Sequence, residues 1–259
     1  MRPPLPKEHG AWGMLFLPLL AALLTAPGGV AAWLIVPVVF FGYALREPLE
    51  RTLRGRRDAT TLGWLVGYAL AAALCATLLV ALTARTRWLA PAGAAGLLLL
   101  AGALPAAQRR SRSLTAELAG ALGLPLSALV GALAAGGRNS LGLYLAFALY
   151  NLATVPYIRT WVLARRAERS ERYQAEAAFV RRLCLATLAL VVPVAALPAL
   201  AGWQPPWVWA TYLPGWARIV RGLRSAGRVE VPIQRLGWLE MAHSLAFCLL
   251  VALAYRMAG

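Results

Sequence analysis

An all-helical, polytopic membrane protein is the fold class this chain predicts, and three observations predict it. Of its 259 residues, 60% are hydrophobic and only 14% are charged, against about 25% charged in a soluble domain. Apolar runs of roughly 20 residues, enough to cross about 30 Å of hydrocarbon as a helix, recur along the chain. The charge between them is one-sided, with 26 Lys+Arg against 10 Asp+Glu and a formal net charge of +16. Those arginines sit in short gaps between apolar runs and form no soluble basic domain, which argues against nucleic-acid binding. The lipid bilayer is the partner that this composition requires.

Nine spans follow in order, within a single integral membrane domain covering 1–259. The first two, about 10–26 and 30–45, turn at Pro27-Gly28-Gly29. Longer ones run about 62–84, 88–107, 114–135 and 140–163. After a charged stretch come about 183–201, 207–223 and 236–257, the eighth carrying Pro205-Pro206 before it and Pro214-Gly215 inside it. The opening run is read as a span and not as a signal peptide, because no soluble domain follows it and its polar lead carries an acid. Cys75, Cys184 and Cys248 each lie inside an apolar run, with no spacing for a disulfide framework or a zinc site. Gly63 and Gly67, then Gly120, Gly123 and Ser127, read as small residues for close helix packing.

Alternate loops set the orientation. With the N-terminus inside, 22 Lys and Arg fall in cytoplasmic segments and only Arg85, Arg87, Arg138 and Arg256 fall outside. Positive residues stay on the cytoplasmic side, so the expectation is a bacterial inner (plasma) membrane protein with a cytoplasmic N-terminus and an outer C-terminus.

The opening "PKEHGAWGMLFLPLL", together with "RLGWLEMAHS" near the end, resembles the YwiC-like family of bacterial membrane proteins. That resemblance implies a multi-pass membrane protein and names no activity. The layout of nine helices with long charged loops after the second and sixth is similar to the UbiA superfamily of intramembrane prenyltransferases. The likeness implies a cytoplasm-facing cavity and an isoprenoid or other lipid-soluble ligand. UbiA-like enzymes place acidic motifs at the cytoplasmic ends of helices two and six, where magnesium bridges carboxylates to a diphosphate. Here "REPLERTLRGRRD" supplies Glu47 and Glu50, three residues apart on one helix face, with Asp58 beyond. The second position, "YNLATVPYIRTWVLARR", holds no acid, so half of that magnesium site is missing. Glu47 with Arg51, and Glu50 with Arg54, also read as i,i+4 ion pairs on a short surface helix begun by Pro48.

Polar residues at the rims and inside the spans are the candidate cavity: Glu8, His9, Glu47, Glu50, Glu117, Asn151, Tyr157, Arg159, Glu240 and His243. Asn151 at mid-span reads as an interhelical hydrogen bond, and Glu117 as an acid at the start of a helix. Arg159 offers a fork suited to an anion, while Trp161, Tyr173 and Phe179 read as headgroup anchors of a helix that continues into the interface. Arg165 with Glu168, and Glu168 with Arg172, have helical spacing along that extension. Glu240 and His243, at i and i+3, point the same way one to two turns inside the last span. His9 stands at the same expected depth and is the natural partner for Glu240, and with Glu8 and His243 they read as a structural or headgroup-facing polar cluster, a divalent-metal site or a proton-moving pair. The cofactor is unknown. Transfer chemistry on a lipid-soluble substrate, transport of a small solute or anion, and a non-catalytic assembly role remain the three functional readings.

Overall fold

A computed structural model describes every residue except 1–2, 7–8, 108–113, 138–139, 168–170, 226–231 and 259. The chain is an all-helical membrane protein, and among the described residues there is no strand. It falls into two compact units, Met1–Ser140 and Leu141–Gly259.

Unit 1 opens with α1 (His9–Thr25), followed by a 3₁₀ turn at Val30–Leu34, α2 (Ile35–Ala44) and α3 (Arg46–Leu53). Next come α4 (Ala59–Thr83), α5 (Leu89–Ala107), α6 (Leu114–Gly123) and α7 (Leu126–Ala134). Asp58 starts α4: its carboxylate accepts from the Thr61 amide at 2.8 Å and from the Thr61 hydroxyl at 2.9 Å. That satisfies one of the free donors at a helix start. α1 packs on α7 and α2 on α4 around Leu19, Leu23, Ile35, Leu79, Trp88, Val130 and Ala134. Gly131 makes the first contact close, since a Cβ there would lie 2.6 Å from Leu19 Cδ1. Ser127 Oγ donates to the Leu15 carbonyl at 2.6 Å across the same seam. At the far end Arg85 Nη1 donates to the Ala134 carbonyl at 3.2 Å, one of the acceptors left open where α7 ends.

Unit 2 takes up α8, which begins at the boundary (Ser140–Ala167), α9 (Glu171–Val194) and the short α10 (Leu197–Leu200). It ends with α11 (Trp207–Thr211), α12 (Leu213–Ser225) and α13 (Ile233–Met257). An aromatic cluster joins α8, α12 and α13: Tyr150 stacks on Phe247 at 4.1 Å, and Tyr212 on Trp216 at 5.1 Å. Just ahead of α12, the Tyr212 hydroxyl donates to the Ala146 carbonyl at 3.0 Å. Tyr150 and Tyr157, seven residues apart on α8, meet Gly215 and Gly222, seven apart on α12. Seven residues is about two turns, so both pairs recur on one face and the two helices run in the same direction. The expected topology gives the sixth and eighth spans that common direction.

All nine expected spans are helical, with several bounds revised. Among the described residues six helical stretches are long and apolar enough to cross a membrane: Val30–Leu53, Ala59–Thr83, Ala116–Ala134, Ser140–Ala167, Tyr173–Leu200 and Gln234–Met257. Gly10–Thr25 and Leu89–Ala101 are apolar but shorter. Helix continues past residue 45 because α3 follows almost directly on α2, and α9, the helix of the seventh span, begins at Glu171. The eighth is not one helix. Pro214 has no amide proton to give the Ala210 carbonyl, and the chain breaks between α11 and α12. α3 begins at Arg46, two residues before Pro48.

The small-residue expectation holds at Ser127, buried in the α1–α7 seam, and needs correcting at the glycines. A Cβ at Gly63, Gly67 or Gly120 would meet nothing within 4 Å, and one at Gly123 would make only ordinary contact with Leu98. Close packing falls instead at Gly28, Gly131, Gly142, Gly215 and Gly222. α4 shows an outer stripe of exposed Leu62, Val66, Leu70, Leu74, Leu78 and Leu82. A row of that length is favourable against lipid and unfavourable against water.

Candidate functional site

The polar groups that matter most in unit 2 come from three helices. Glu240 lies two turns into α13, and Arg218 lies midway along α12. They form an ion pair, with side chains only 12% (Arg218) and 10% (Glu240) exposed. The arginine Cζ also sits 5.1 Å from the centre of the Tyr157 ring, a cation–π contact from α8. Isolated charges are expensive inside apolar helices, and each of these two offsets the other's cost.

This pair lies beside an open pocket of about 400 Å³. Tyr157 and Trp161 of α8, Pro214, Arg218, Arg221 and Ser225 of α12, and Leu236, Leu239 and His243 of α13 line it. Gly222 completes the lining, and its missing side chain makes room for Tyr157: a Cβ there would lie 2.7 Å from Tyr157 Cε2. His243 Nδ1 is 2.7 Å from the Leu239 carbonyl. A carbonyl only accepts, so Nδ1 carries the proton and Nε2 is left with a lone pair in the neutral ring.

Two of the expected site residues, Tyr157 and His243, line this pocket, and Glu240 is joined to it through Arg218. The others that the structure describes have these partners. Glu47 pairs with Arg51 at 3.0 Å, while Glu50 pairs with Arg54 at 3.3 Å and with Arg46 at 2.8 Å. These are the i,i+4 pairs that their spacing allows. Glu117 sits in the first turn of α6, at the positive end of the helix dipole. Arg159 is off the pocket lining and bonds Glu176 of α9 at 2.8 Å. Asn151 is buried, and its amide nitrogen finds no hydrogen-bond partner among the described residues, so the interhelical bond expected there is absent at that atom. Glu8 and the side chain of His9 lie outside the described residues, as does Glu168. Among the described residues no three His, Cys, Asp or Glu side chains converge as a metal would require.

Arg218 and Arg221 are the site residues that sequence reasoning missed. They count equally well as positive-inside loop residues. The available signal was Glu240, an acid in an apolar span that a cation would stabilise, together with arginines at 218, 221 and 224 on a helix that buries Trp216, Ile219 and Leu223. Trp161, expected among headgroups, is buried and lines the pocket, whereas Phe179 is 60% exposed, as an anchor would be.

Lipid-facing helices around a buried charge pair define a multi-pass membrane protein with a polar pocket among its helices. Over residues 5–132 the chain matches the model of the YwiC-like protein family, and over that part it is similar to that family. The opening motif falls inside the match and "RLGWLEMAHS" falls outside it. No curated protein and no solved structure matches the chain.

Proposed function

We propose that this YwiC-like membrane protein acts on a lipid-soluble substrate held in the unit 2 pocket, in the manner of an intramembrane transferase with a UbiA-like layout. One observation carries the reading: the buried Arg218–Glu240 pair, set against Tyr157, beside a pocket whose remaining walls include Trp161, Leu236 and Leu239. Charge kept within apolar helices marks substrate paths in membrane proteins, and the mixed walls suit a molecule with a polar head and an apolar body. The reaction is distinct from ordinary magnesium-dependent prenyl transfer, since Glu47 and Glu50 are taken up by arginines and the second motif has no acid. Mass spectrometry of lipids extracted from the purified protein tests this. The parent should carry a defined lipid-soluble compound that Glu240→Gln has lost, and identical lipid complements would sink the reading.

Transport of a small anion is the second reading, favoured by the helix break between α11 and α12 and by Pro214 on the pocket lining. Interrupted helices at a binding site are a transporter feature. Anion flux into proteoliposomes, lost on Arg218→Ala, would select it.

In either case the protein sits in the plasma membrane with the Arg54 loop cytoplasmic and the C-terminus outside, as the arginine distribution supports. Single cysteines near Arg54 and at the C-terminus, in a background without the native three, test this with an impermeant thiol reagent on intact cells. Labelling confined to the Arg54 site would reverse the orientation.

A further inference from the structure

We infer that the polar end of the unit 2 pocket binds a phosphate-type oxyanion carried on an apolar body, with Arg221 as its cation and His243 Nε2 accepting the anion's proton. This deepens, and rests on, the reading of that pocket as the site for a lipid-soluble substrate.

The two arginines have different duties. Arg218 is already engaged by Glu240 and Tyr157, and its guanidinium nitrogens are buried, so it acts as a fixed part of the wall. Arg221 lies three residues on, nearly one turn further along α12. It is exposed and lines the pocket, and its side chain has no ion pair or hydrogen bond among the described residues. Ser225 stands a further turn along and donates to its own helix, to the Gly222 carbonyl at 3.1 Å, which leaves its oxygen free to accept. Across the pocket His243 has its Nδ1 proton committed to Leu239. In the neutral ring Nε2 can only accept.

A site with a free guanidinium and a hydroxyl acceptor on one helix and an imidazole acceptor across from them selects among anions. A phosphate monoester in its singly protonated form brings oxygens for Arg221 and an O–H for His243. A carboxylate brings the oxygens alone, and a zwitterionic choline headgroup has no O–H to give. Arginine's planar fork suits phosphoryl oxygens. Trp161, Pro214, Leu236 and Leu239 then line the path of the apolar body. At about 400 Å³ the pocket falls within the usual range of ligand cavities, roughly 300–1,000 Å³.

The test uses the full chain in detergent micelles and measures binding of dioleoyl phosphatidic acid, with phosphatidylcholine, oleate and inorganic phosphate compared. Phosphatidic acid should bind about ten-fold or more tightly than phosphatidylcholine or oleate, and Arg221→Ala and His243→Leu should each weaken it by about ten-fold, the loss of one charge-assisted or buried hydrogen bond. Arg221→Lys should recover part of the loss. Arg224→Ala, exposed and off the pocket lining, should bind like the parent. Inorganic phosphate binding as tightly as the lipid supports the oxyanion site but overturns the lipid-soluble substrate. Phosphatidylcholine binding as tightly, or Arg221→Ala behaving like the parent, overturns the oxyanion site while the lipid reading stands. Nitrogen-15 spectra of labelled histidine give an independent check, since the chain has two histidines and His243→Leu assigns the signal. A ring protonated at Nε2 alone would reject the proton-acceptor role.

Discussion

The ring of Tyr157 rests on the bare backbone of Gly222, two turns beyond the point where Tyr150 meets Gly215. This contact sets the spacing of α8 and α12 and holds Tyr157 under the Arg218 guanidinium. Gly222→Ala should therefore cost stability of about 1–3 kcal/mol through overpacking, and it should weaken ligand binding at the pocket. Gly237→Ala, whose Cβ would meet nothing within 4 Å, is the control. Thermal melts in detergent read both, and equal midpoints for the two variants would show that Tyr157 moves aside freely.

Removing one member of the Arg218–Glu240 pair should destabilise the protein by about 3–5 kcal/mol, because the remaining charge is buried without its partner. Replacing both with apolar residues of similar volume should cost much less than the sum. A double-mutant cycle with Arg218→Met and Glu240→Leu measures the coupling. Additive losses would show that the two charges do not depend on each other.

Asn151 leads to an opposite expectation. Its buried amide nitrogen lacks a partner among the described residues, so Asn151→Leu should be neutral or stabilising by about 1 kcal/mol. A strong loss of stability in the same melting assay would mean that the amide is satisfied by a group bound from outside the chain.

At the start of α4, the amide and hydroxyl of Thr61 hold the Asp58 carboxyl below its ordinary pKa. The sign follows: a lowered folded value gives stability that is fully present above the unfolded pKa, about 3.9, and is lost as the pH falls through the folded one. Helix-start stability should thus decline on acidification below about pH 4 in the parent and stay flat in Asp58→Asn, which keeps the cap shape without a titrating group. Hydrogen exchange at the first turn of α4 follows this locally, and parallel pH profiles would remove the carboxylate from the account.

The helices were legible because an apolar run of 20 residues has few other solutions, and the i,i+4 pairs of α3 because helix spacing alone dictates them. Glu240 and His243 were legible for a related reason: polar groups in an apolar span have to face something. Their partner was harder to see. Arg218 is 22 residues from Glu240 in sequence, and nothing local distinguishes an arginine that turns inward from one left in a positive loop. Gly63 and Gly67 misled for the converse reason. A GxxxG spacing makes a groove, but only tertiary structure determines whether a neighbour fills it, and here the filled grooves are those of Gly131, Gly215 and Gly222.

Unit 1 also places unequal demands on the membrane. At 1.5 Å per residue, the 25 residues of α4 reach about 37 Å, and the 17 residues of α1 about 25 Å. A hydrocarbon layer of about 30 Å is too thin for the first and too thick for the second. A long helix relieves that mismatch by tilting, and a short one by thinning the bilayer beside it or by letting flanking polar groups reach the surface. Bilayer thickness consequently becomes a variable for this protein: reconstitution into thinner lipids relaxes α1 at the expense of a greater tilt in α4, and thicker lipids do the reverse.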